Sequence, residues 1–533
     1  MVAHVTTVAF QGIKAVPVDV QVQLMSGLPA FTIVGLPDKA VGESRERVKS
    51  ALVATGLALP AKRVIVNLAP ADLPKEGSHF DLPIALAIMV AMGVLPGDFL
   101  DDYLALGELS LDGMLEPVAG VLPAAMAANA RDKGLLCPEA SGAEAAWASA
   151  DMAILAPRSL VQLLNHIRGT QIMSRPRPAM AQRGRSAIDL ADIKGQETAK
   201  RALEVAAAGG HNLLMVGPPG AGKSMLASRL QTILPPLSPS ELLEVSMIAS
   251  IAGELENGKL SDARPFRTPH HSASMAAMVG GGMRAKPGEA ALAHHGVLFL
   301  DELPEFTPQV LDSLRQPLET GETVIARANH RVSYPARFQL IAAMNPCRCG
   351  MAGEPGHSCR RGPRCASDYQ GRLSGPFLDR IDIRLDVPAV SAMDLIDPAK
   401  AEKSAAVAVR VAKARAIQAE RYEALARAGL QQRPEAGPEG GRETEEAGFG
   451  ERLFCNAALS PAMVERVVEL DAPARALLQD AANRLALSAR AYHRILKVAR
   501  TLADLEGGGS VSRLHIGEAI AYRTLGPASA LAA

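Results

Sequence analysis

Three hydrophobic patterns follow one another along the chain. Near the N-terminus, polar and apolar residues alternate in VDVQVQL, FTIVGL and VIVNL, which is typical of strands with one buried face. An apolar run from Ile84 to Leu95 predicts a buried helix, so this part reads as a mixed α/β domain. Further on, helical patterns separate short apolar segments, which predicts parallel strands covered by helices; these segments are Leu213 to Val216, Val297 to Leu300 and Phe338 to Ala342. From Met463 onwards the pattern is almost entirely helical.

Two stretches interrupt these patterns. Residues 169–187 and 431–450 are rich in Pro, Gly or charge and poor in aliphatic residues, so we interpret the first as a linker and the second as a disordered insert. The predicted organisation is an N-terminal domain at 1–168, the linker, a central domain at 188–395 and a C-terminal helical part at 396–533 that contains the insert.

Composition limits the partners and the compartment. The chain has 533 residues with 56 Lys+Arg against 56 Asp+Glu, so a nucleic acid or a membrane surface could only bind a local patch. The longest apolar run is shorter than the ~20 residues that span a bilayer, and the N-terminus does not look like a signal peptide. Six Cys in so long a chain fit a reducing compartment. We therefore expect a cytoplasmic protein with no membrane partner.

A strand, a glycine-rich loop and a helix predict a phosphate-binding site in the central domain. The strand NLLMV precedes the loop, and the helical segment MLASRL follows it. In such loops backbone N–H groups surround the phosphates, the Lys reaches the β/γ oxygens and the Ser hydroxyl ligates Mg²⁺. We predict ATP and Mg²⁺ as cofactors, bound by Gly217, Pro218, Pro219, Gly220, Ala221, Gly222, Lys223 and Ser224.

Polar residues at the ends of other elements extend this site. In GVLFLDE, Asp301 follows a buried strand as a ligand for Mg²⁺, and Glu302 is placed to orient the attacking water. Asn345 ends the strand FQLIAAM next to the predicted γ-phosphate. Arg380 follows a short helix, and its planar guanidinium matches phosphate oxygens of a neighbouring subunit; an isolated Arg is more often an ion-paired surface residue.

The motifs GPPGAGKS, GVLFLDEL, AAMNPC and SGPFLDRIDI together resemble an AAA+ ATPase of the magnesium-chelatase-like branch. The chain most resembles the bacterial ComM/YifB family, over nearly its whole length. This resemblance implies an α/β fold with a P-loop AAA+ core and a helical lid. It also implies that Asn345 is sensor 1, that Arg380 is a finger acting in trans and that Arg490 is sensor 2. Arg494, one turn along the same helix face, is the alternative sensor 2.

The resemblance further implies a homo-oligomeric ring, usually a hexamer, and similarity to branch-migration helicases of natural transformation and homologous recombination. Single-stranded or branched DNA, bound without sequence preference, would be the partner. An insert between Glu254 and His295, which includes Arg264 and Arg267, and a hairpin before sensor 1 would line the pore. The predicted DNA contacts are Lys259, Arg284, Lys286, Arg327, His330 and Arg331. A solvated turn with ordinary surface charge is the alternative.

Cysteines and paired histidines suggest metal chemistry. Cys347, Cys349, Cys359 and Cys365 share one polar loop, so zinc bound by four thiolates is one interpretation. The C-x-C start differs from the usual C-x2-C knuckle, and free or redox-active thiols are the other interpretation. We expect no chelation by His270-His271 or by His294-His295, because adjacent side chains point to different sides of a helix or a strand.

The N-terminal domain resembles the proteolytic domain of Lon proteases through LPKEGSHFDLPIALAI and GELSLDGMLEPVAGVLPAA. By that resemblance, His79 takes the place of the nucleophile and Leu122 that of the lysine, which leaves Ser78 without a base. We therefore expect a degenerate domain without proteolysis. Besides the DNA motor, the alternatives are a chelatase-type AAA+ machine that remodels a protein partner and, less favoured, an ATP-dependent protease.

Overall fold

The computed structural model describes residues 2–181, 188–282, 285–326, 331–352, 359, 362, 364–390, 396, 401–428 and 455–523. The predictions for Arg284, Arg327, His330 and the insert at 431–450 fall outside these residues.

The described strands, β1 to β16 in chain order, are Val2–Gln11, Lys14–Met25, Ala30–Val34, Arg63–Ala69, Tyr103–Ala105, Glu108–Leu109, Leu115–Glu116, Gly134–Leu136, Ile154–Leu155, Leu213–Val216, Phe266–Arg267, Val297–Leu300, Glu322–Ala326, Arg331–Pro335, Gln339–Met344 and Ile383–Asp386. The described helices, α1 to α20, are Lys39–Ala54, Asp81–Ala91, Gly97–Asp101, Val121–Asn129, Gly142–Ala145, Leu160–Ile167, Glu197–Gly209, Lys223–Ile233, Pro239–Ala252, Met275–Val279, Glu289–Leu292, Pro308–Ser313, Arg315–Thr320, Cys365–Gln370, Gly375–Leu378, Ser404–Arg427, Pro461–Val467, Ala472–Arg484, Ala489–Leu505 and Arg513–Ala521. No helix in the described ranges is both long and apolar enough to cross a membrane.

The first sheet has seven strands in the order β3-β4-β2-β1-β5-β8-β9. Antiparallel pairing joins β4, β2 and β1, and the other neighbours are parallel, so this sheet is mixed; the sequence predicted a mixed α/β part but not the directions of its strands. In β2, Val18, Val20 and Val22 are buried, which confirms the half-buried alternation. The predicted apolar helix is α2, and it ends earlier than the apolar run because Gly93 takes a φ of 73°, a common helix stop.

The second sheet has five parallel strands in the order β11-β12-β15-β10-β16. Alternate residues of β10 enter different cores: Leu213 and Met215 face one, Leu214 and Val216 the other. The first of these cores includes residues of α7, α8 and the C-terminal helices, and the second includes residues of α12 and α15. The sheet is therefore covered on both faces, which confirms the predicted parallel strands between helices.

A buried carboxylate on the N-terminal side joins the two sheet-containing parts. Ser250, on α9, donates a hydrogen bond to Glu144, and the Leu122 N–H donates to the same carboxylate oxygen at 2.8 Å. Burial raises the pKa of Glu144, against the hydrogen bonds from Ser250 and Leu122. The Gly120 N–H also donates to the Ser250 carbonyl at 3.0 Å. Helix α9 is thus a fixed contact between the two parts.

The buried His79 predicts a pH-dependent stability. Its Nε2 lies 2.8 Å from the Val8 carbonyl oxygen, and burial lowers its pKa to about 4 from an ordinary value near 6.5. Between those values the unfolded chain binds a proton that the folded chain does not, so stability is fully present above pH 6.5 and falls as the pH drops towards 4. We expect His79→Gln to remove about 2 kcal/mol of the loss between pH 7 and pH 5. Urea unfolding followed by fluorescence of Trp147, the single Trp, measures this; identical pH dependence in wild type, His79→Gln and the exposed-site control His4→Gln would contradict it.

Candidate nucleotide-binding site

The glycine-rich loop joins the end of β10 to the start of α8. Gly220 and Gly222 have φ values of 79° and 87°, which residues with a Cβ rarely adopt. Gly217 lies so close to the Val387 carbonyl that a side chain would collide with it. The motif therefore forms the tight turn into a helix N-terminus that the sequence predicts, and such a turn directs backbone N–H groups towards an anion.

Lys223 links the glycine-rich loop to the end of β15, the strand beside β10 in the sheet. Its ammonium group donates to the carbonyl oxygens of Gly217 at 2.7 Å and Pro218 at 2.8 Å, and to Asn345 Oδ1 at 3.1 Å. Burial lowers the pKa of Lys223, while the charge of Asp301 acts to raise it. Because β15 lies beside β10, Asn345 at the end of β15 reaches the phosphate loop directly.

Ser224 and Asp301 provide oxygen atoms suited to Mg²⁺. The Ser224 hydroxyl donates to Asp301 Oδ2 at 2.6 Å, and the Glu302 N–H donates to Asp301 Oδ1 at 2.9 Å. A hydroxyl and a carboxylate are hard ligands of the kind that Mg²⁺ accepts beside substrate phosphates. The residues present therefore fit the predicted ion.

Glu302 turns out of the strand into the open site. Its backbone has a φ of 50°, and its side chain is 57% exposed. His271 Nδ1 lies 3.8 Å from the Glu302 carboxylate. The sequence analysis did not pair His271 with Glu302, because the two residues are brought near each other only by the sheet, in which β11 lies beside β12.

The prediction that adjacent histidines cannot converge is wrong for His294 and His295. Their Nε2 atoms lie 3.0 Å and 2.8 Å from the same Glu244 carboxylate oxygen. His295 takes a left-handed φ of 54°, which breaks the regular alternation of side chains on which the prediction depended. Burial lowers the pKa of His294 to about 4, and the Arg337 N–H donates to its Nδ1 at 3.0 Å, so its Nε2 carries the proton donated to Glu244. Each of the two imidazoles thus has a hydrogen-bond partner in Glu244.

Arg380 lies near the opposite edge of the sheet from the phosphate loop. Its carbonyl accepts from Asn212 Nδ2 at 2.8 Å, and Asn212 precedes β10, whereas Gly217 follows it. Four strand residues span about 13 Å. The Arg380 guanidinium is nearly buried and lies 2.5 Å from the exposed Glu319 carboxylate, and its Nε has no hydrogen-bond partner among the described residues.

The two candidates for sensor 2 differ in what surrounds them. Arg494 lies 2.8 Å from the buried Asp382 carboxylate, whose pKa is lowered, against its burial, by the imidazole of His211 at 3.7 Å and by the charge of Arg494. Asp382 precedes β16, so this ion pair also lies at the edge away from the phosphate loop. Arg490, one turn earlier on α19, is exposed. Arg490 as sensor 2 stays a prediction, and Arg494 is held in the ion pair with Asp382.

The candidate DNA contacts fall into two groups. Lys286 and Arg331 are exposed where the insert packs against the hairpin β13–β14, since Tyr334 of the hairpin donates to the Ala285 carbonyl at 2.9 Å. Lys259 is exposed next to Leu260, which pairs with Met180. The other two insert arginines serve ion pairs instead: Arg264 with Glu241, and Arg267 with Glu254 and Glu289.

The four cysteines of the polar loop converge, with their Sγ atoms all within 4.8 Å of one another.

In the N-terminal domain, Ser78 donates to the Glu108 carboxylate and not to an amine. The Lys75 ammonium group donates to the Pro70 carbonyl, and the Leu122 side chain is fully buried. The contacts of Ser78 are therefore not those of a Ser/Lys dyad.

Three family models and several relatives match most of this chain. Residues 189–395 match the family model for magnesium chelatase, subunit ChlI, residues 20–141 match that for subunit ChlI of Mg-chelatase, and residues 401–523 match that for its C-terminal part. The competence protein ComM of Haemophilus influenzae is 43% identical over 97% of this chain and 96% of its own length. The chain belongs to the ComM/YifB family of magnesium-chelatase-like AAA+ ATPases.

Other relatives agree with this assignment. The uncharacterized protein YifB of Escherichia coli is 41% identical over 98% of this chain and 97% of its own length. The magnesium-chelatase 38 kDa subunit of Rhodobacter capsulatus is 26% identical over 65% of this chain and 90% of its own length. Membership of the ComM/YifB family implies ATP and Mg²⁺ as cofactors, which agrees with the oxygen pair of Ser224 and Asp301.

Two substitutions separate nucleotide binding from hydrolysis. We expect Lys223→Ala to abolish nucleotide binding or turnover, because it removes the charge held inside the loop. Glu302→Gln should bind ATP and lose roughly 10²- to 10⁴-fold in turnover, because it removes only the group that orients water. ATP binding and steady-state hydrolysis measure both effects, with the exposed-site change Glu256→Gln as a control for loss of a carboxylate. Wild-type turnover in either site variant would contradict the assignment.

Proposed function

We propose that this protein is an ATP-driven ring motor that acts on DNA, as a branch-migration helicase in natural transformation or homologous recombination. The observation that carries the proposal is the contact of the insert with the hairpin β13–β14, with Lys286 of the insert and Arg331 of the hairpin both exposed. The extensive identity to a protein named competence protein ComM supports the same direction.

In this proposal each residue of the nucleotide site has a separate role. The loop N–H groups and Lys223 hold the phosphates, and Ser224 and Asp301 hold Mg²⁺, which neutralises charge on the phosphates when bound. Glu302 accepts a hydrogen bond from the attacking water and orients it. Asn345 lies within reach of Lys223, where it senses the terminal phosphate and passes its state to β15. The hairpin immediately precedes β15, so a shift of Asn345 has a short covalent route to the DNA-facing loops.

Arg380 would complete the site of a neighbouring subunit. Its backbone lies at the sheet edge opposite the chain's own phosphate loop, and its Nε is left without a partner in the described part of the chain. Both features suit a guanidinium that exchanges Glu319 for phosphate oxygens when subunits assemble. The ring, which we take to be a hexamer, would then be required for hydrolysis.

The N-terminal domain would guide the hairpin and not cleave peptides. Gly12, in the β1–β2 turn, lies against the Ser333 carbonyl of β14 so closely that no side chain would fit. Beside this contact is a cavity of about 320 Å³ whose lining includes Phe10, Ser78 and His79 from one side and Lys286 and Tyr334 from the other. We retain the resemblance to a degenerate Lon-type domain as part of this proposal, because Ser78 is paired with a carboxylate.

A chelatase-type machine that remodels a protein partner is the second candidate. The matches to the magnesium chelatase family models along all three parts of the chain favour it. ATP turnover with and without single-stranded, duplex and branched DNA separates the two candidates. A motor on DNA is stimulated by at least one of these substrates and moves a branch point, whereas a protein remodeller responds to none of them.

Removal of the exposed hairpin and insert cations should weaken DNA binding. We expect the double variant Lys286→Ala/Arg331→Ala to bind branched DNA more weakly at every sequence and to lower the salt dependence of log K by about 0.7 to 0.9 for each phosphate that the protein no longer neutralises. The exposed Lys413 of α16 provides a control of equal side-chain type, Lys413→Ala. Fluorescence anisotropy at several salt concentrations measures this, and equal salt slopes in all three proteins would contradict the assigned surface.

The role of Arg380 in trans is tested by mixing two inactive chains. We expect Arg380→Ala to bind ATP and form rings but to lose about 10³- to 10⁵-fold in turnover. Mixed with Lys223→Ala it should regain some turnover, because some interfaces combine an intact loop with an intact finger. An Arg380→Ala protein that hydrolyses ATP at the wild-type rate as a diluted monomer would show that one chain holds the complete site. Glu319→Gln, which only releases the guanidinium, should retain turnover.

A further inference from the structure

Four cysteine sulfur atoms meet just after the strand that carries Asn345. The closest pairs are Cys347 and Cys349 at 3.0 Å and Cys349 and Cys359 at 3.2 Å, and Cys365 completes a set in which all four Sγ atoms lie within 4.8 Å of one another. These distances exceed the ~2.05 Å of a disulfide bond. One tetrahedral Zn²⁺ with bonds of about 2.3 Å places its sulfurs roughly 3.8 Å apart. The set therefore has the size of a site for a single ion.

The cysteines also supply most of the interior of this segment. The local apolar cluster has Cys347, Cys365 and Ala366 as its buried members. Ala352, Cys349 and Cys359 pack against them and are partly buried. Neutral thiols form only weak hydrogen bonds, and this cluster buries few apolar atoms. Without a metal, both contributions to the stability of the loop are therefore small. Four thiolates around one Zn²⁺ stabilise a polar loop of this kind directly, with release of the thiol protons to solvent.

One turn of the cysteine loop lies directly on the phosphate loop. The Gly350 N–H donates to the Cys347 carbonyl at 2.9 Å, and Gly350 has a φ of 82°. A Cβ at Gly350 would stand 2.5 Å from the ring carbons of Pro219. Cys347 itself follows Asn345 by two residues, and Asn345 accepts a hydrogen bond from Lys223. The same turn therefore controls the positions of Pro219 and of sensor 1.

Cys365, the last cysteine of the loop, begins helix α14, and this helix contacts the nucleotide site again. Gln370, at the end of α14, donates to the Pro346 carbonyl at 2.9 Å. Tyr369 is buried beside Glu305, and burial together with the charges of Glu305 and Glu302 raises its pKa to about 12. The cysteine loop is thus tied to the nucleotide site from both of its ends.

We propose that Cys347, Cys349, Cys359 and Cys365 bind one Zn²⁺, and that this ion holds Gly350 against Pro219 and Asn345 beside Lys223, so that nucleotide affinity depends on zinc. This inference rests on the proposed nucleotide site and is independent of the proposed action on DNA. Oxidation of the thiolates or removal of the ion would release the turn and weaken nucleotide binding.

Metal content and nucleotide affinity of the full chain test this directly. Protein purified without chelator should contain about one Zn²⁺ per chain. Cys349→Ser should lose the ion and weaken binding of a fluorescent ADP at least tenfold, whereas Cys455→Ala, which removes a thiol outside the loop, should change neither quantity. Gly350→Ala provides an independent variant, because its Cβ displaces Pro219 while all four ligands remain. It should keep the zinc and still weaken ADP binding.

The outcomes distinguish the zinc clamp from the nucleotide site itself. If Lys223→Ala both binds ADP and hydrolyses ATP like the wild type, the site assignment fails irrespective of zinc. If Lys223→Ala loses binding but the wild-type chain holds no zinc, or Cys349→Ser loses zinc and keeps wild-type ADP affinity, the clamp is overturned. Wild-type ADP affinity in Gly350→Ala would overturn the contact through Pro219. None of these measurements requires DNA.

Discussion

Parallel pairing within the central sheet is the constraint on which the nucleotide site depends. Val216 pairs with Met344, and Leu300 pairs with Ala342, so three strands end at the same edge of the sheet. This edge brings Lys223 within 3.1 Å of Asn345 and Ser224 within 2.6 Å of Asp301, although 122 and 77 residues separate the partners in sequence. A shift of one residue in either pairing would exchange the faces of the strand and separate these groups.

Helix α9 is the second element that several parts of the molecule share. Its Ser250 contacts the buried Glu144 of the N-terminal domain. Its Glu241 binds Arg264, and its Glu244 accepts from His294 and His295. Burial acts to raise the pKa of Glu241 and of Glu244, yet the cationic and hydrogen-bonding partners lower both pKa values overall. Because a carboxylate buried without partners is costly, these contacts hold the insert and the N-terminal domain in one arrangement.

The groups around the nucleotide site differ in how firmly they are held. Lys223 and Asn345 are hydrogen-bonded inside the loop, and Asp301 is bound to Ser224. Glu302, by contrast, is exposed, with His271 Nδ1 3.8 Å from its carboxylate. In the proposed mechanism Glu302 orients a water molecule and needs such access to solvent, whereas the proposed phosphate-binding groups gain from burial because electrostatic attraction is stronger away from water. The fold thus provides both environments at one edge of the central sheet.

Local patterns determined the parts of this protein that local physics controls. The buried runs predicted β10 and β12 with their observed limits, and the glycines with the adjacent Lys223 and Ser224 predicted a phosphate loop, because only such residues form that turn. Tertiary structure alone decided the contacts between distant residues: the convergence of His294 and His295 on Glu244, the ion pair of Arg494 with Asp382, and the contact of Gly350 with Pro219. These contacts depend, in turn, on a left-handed φ at His295, on the order of strands in the sheet and on the packing of one turn against another. Residue periodicity along the chain does not encode any of the three.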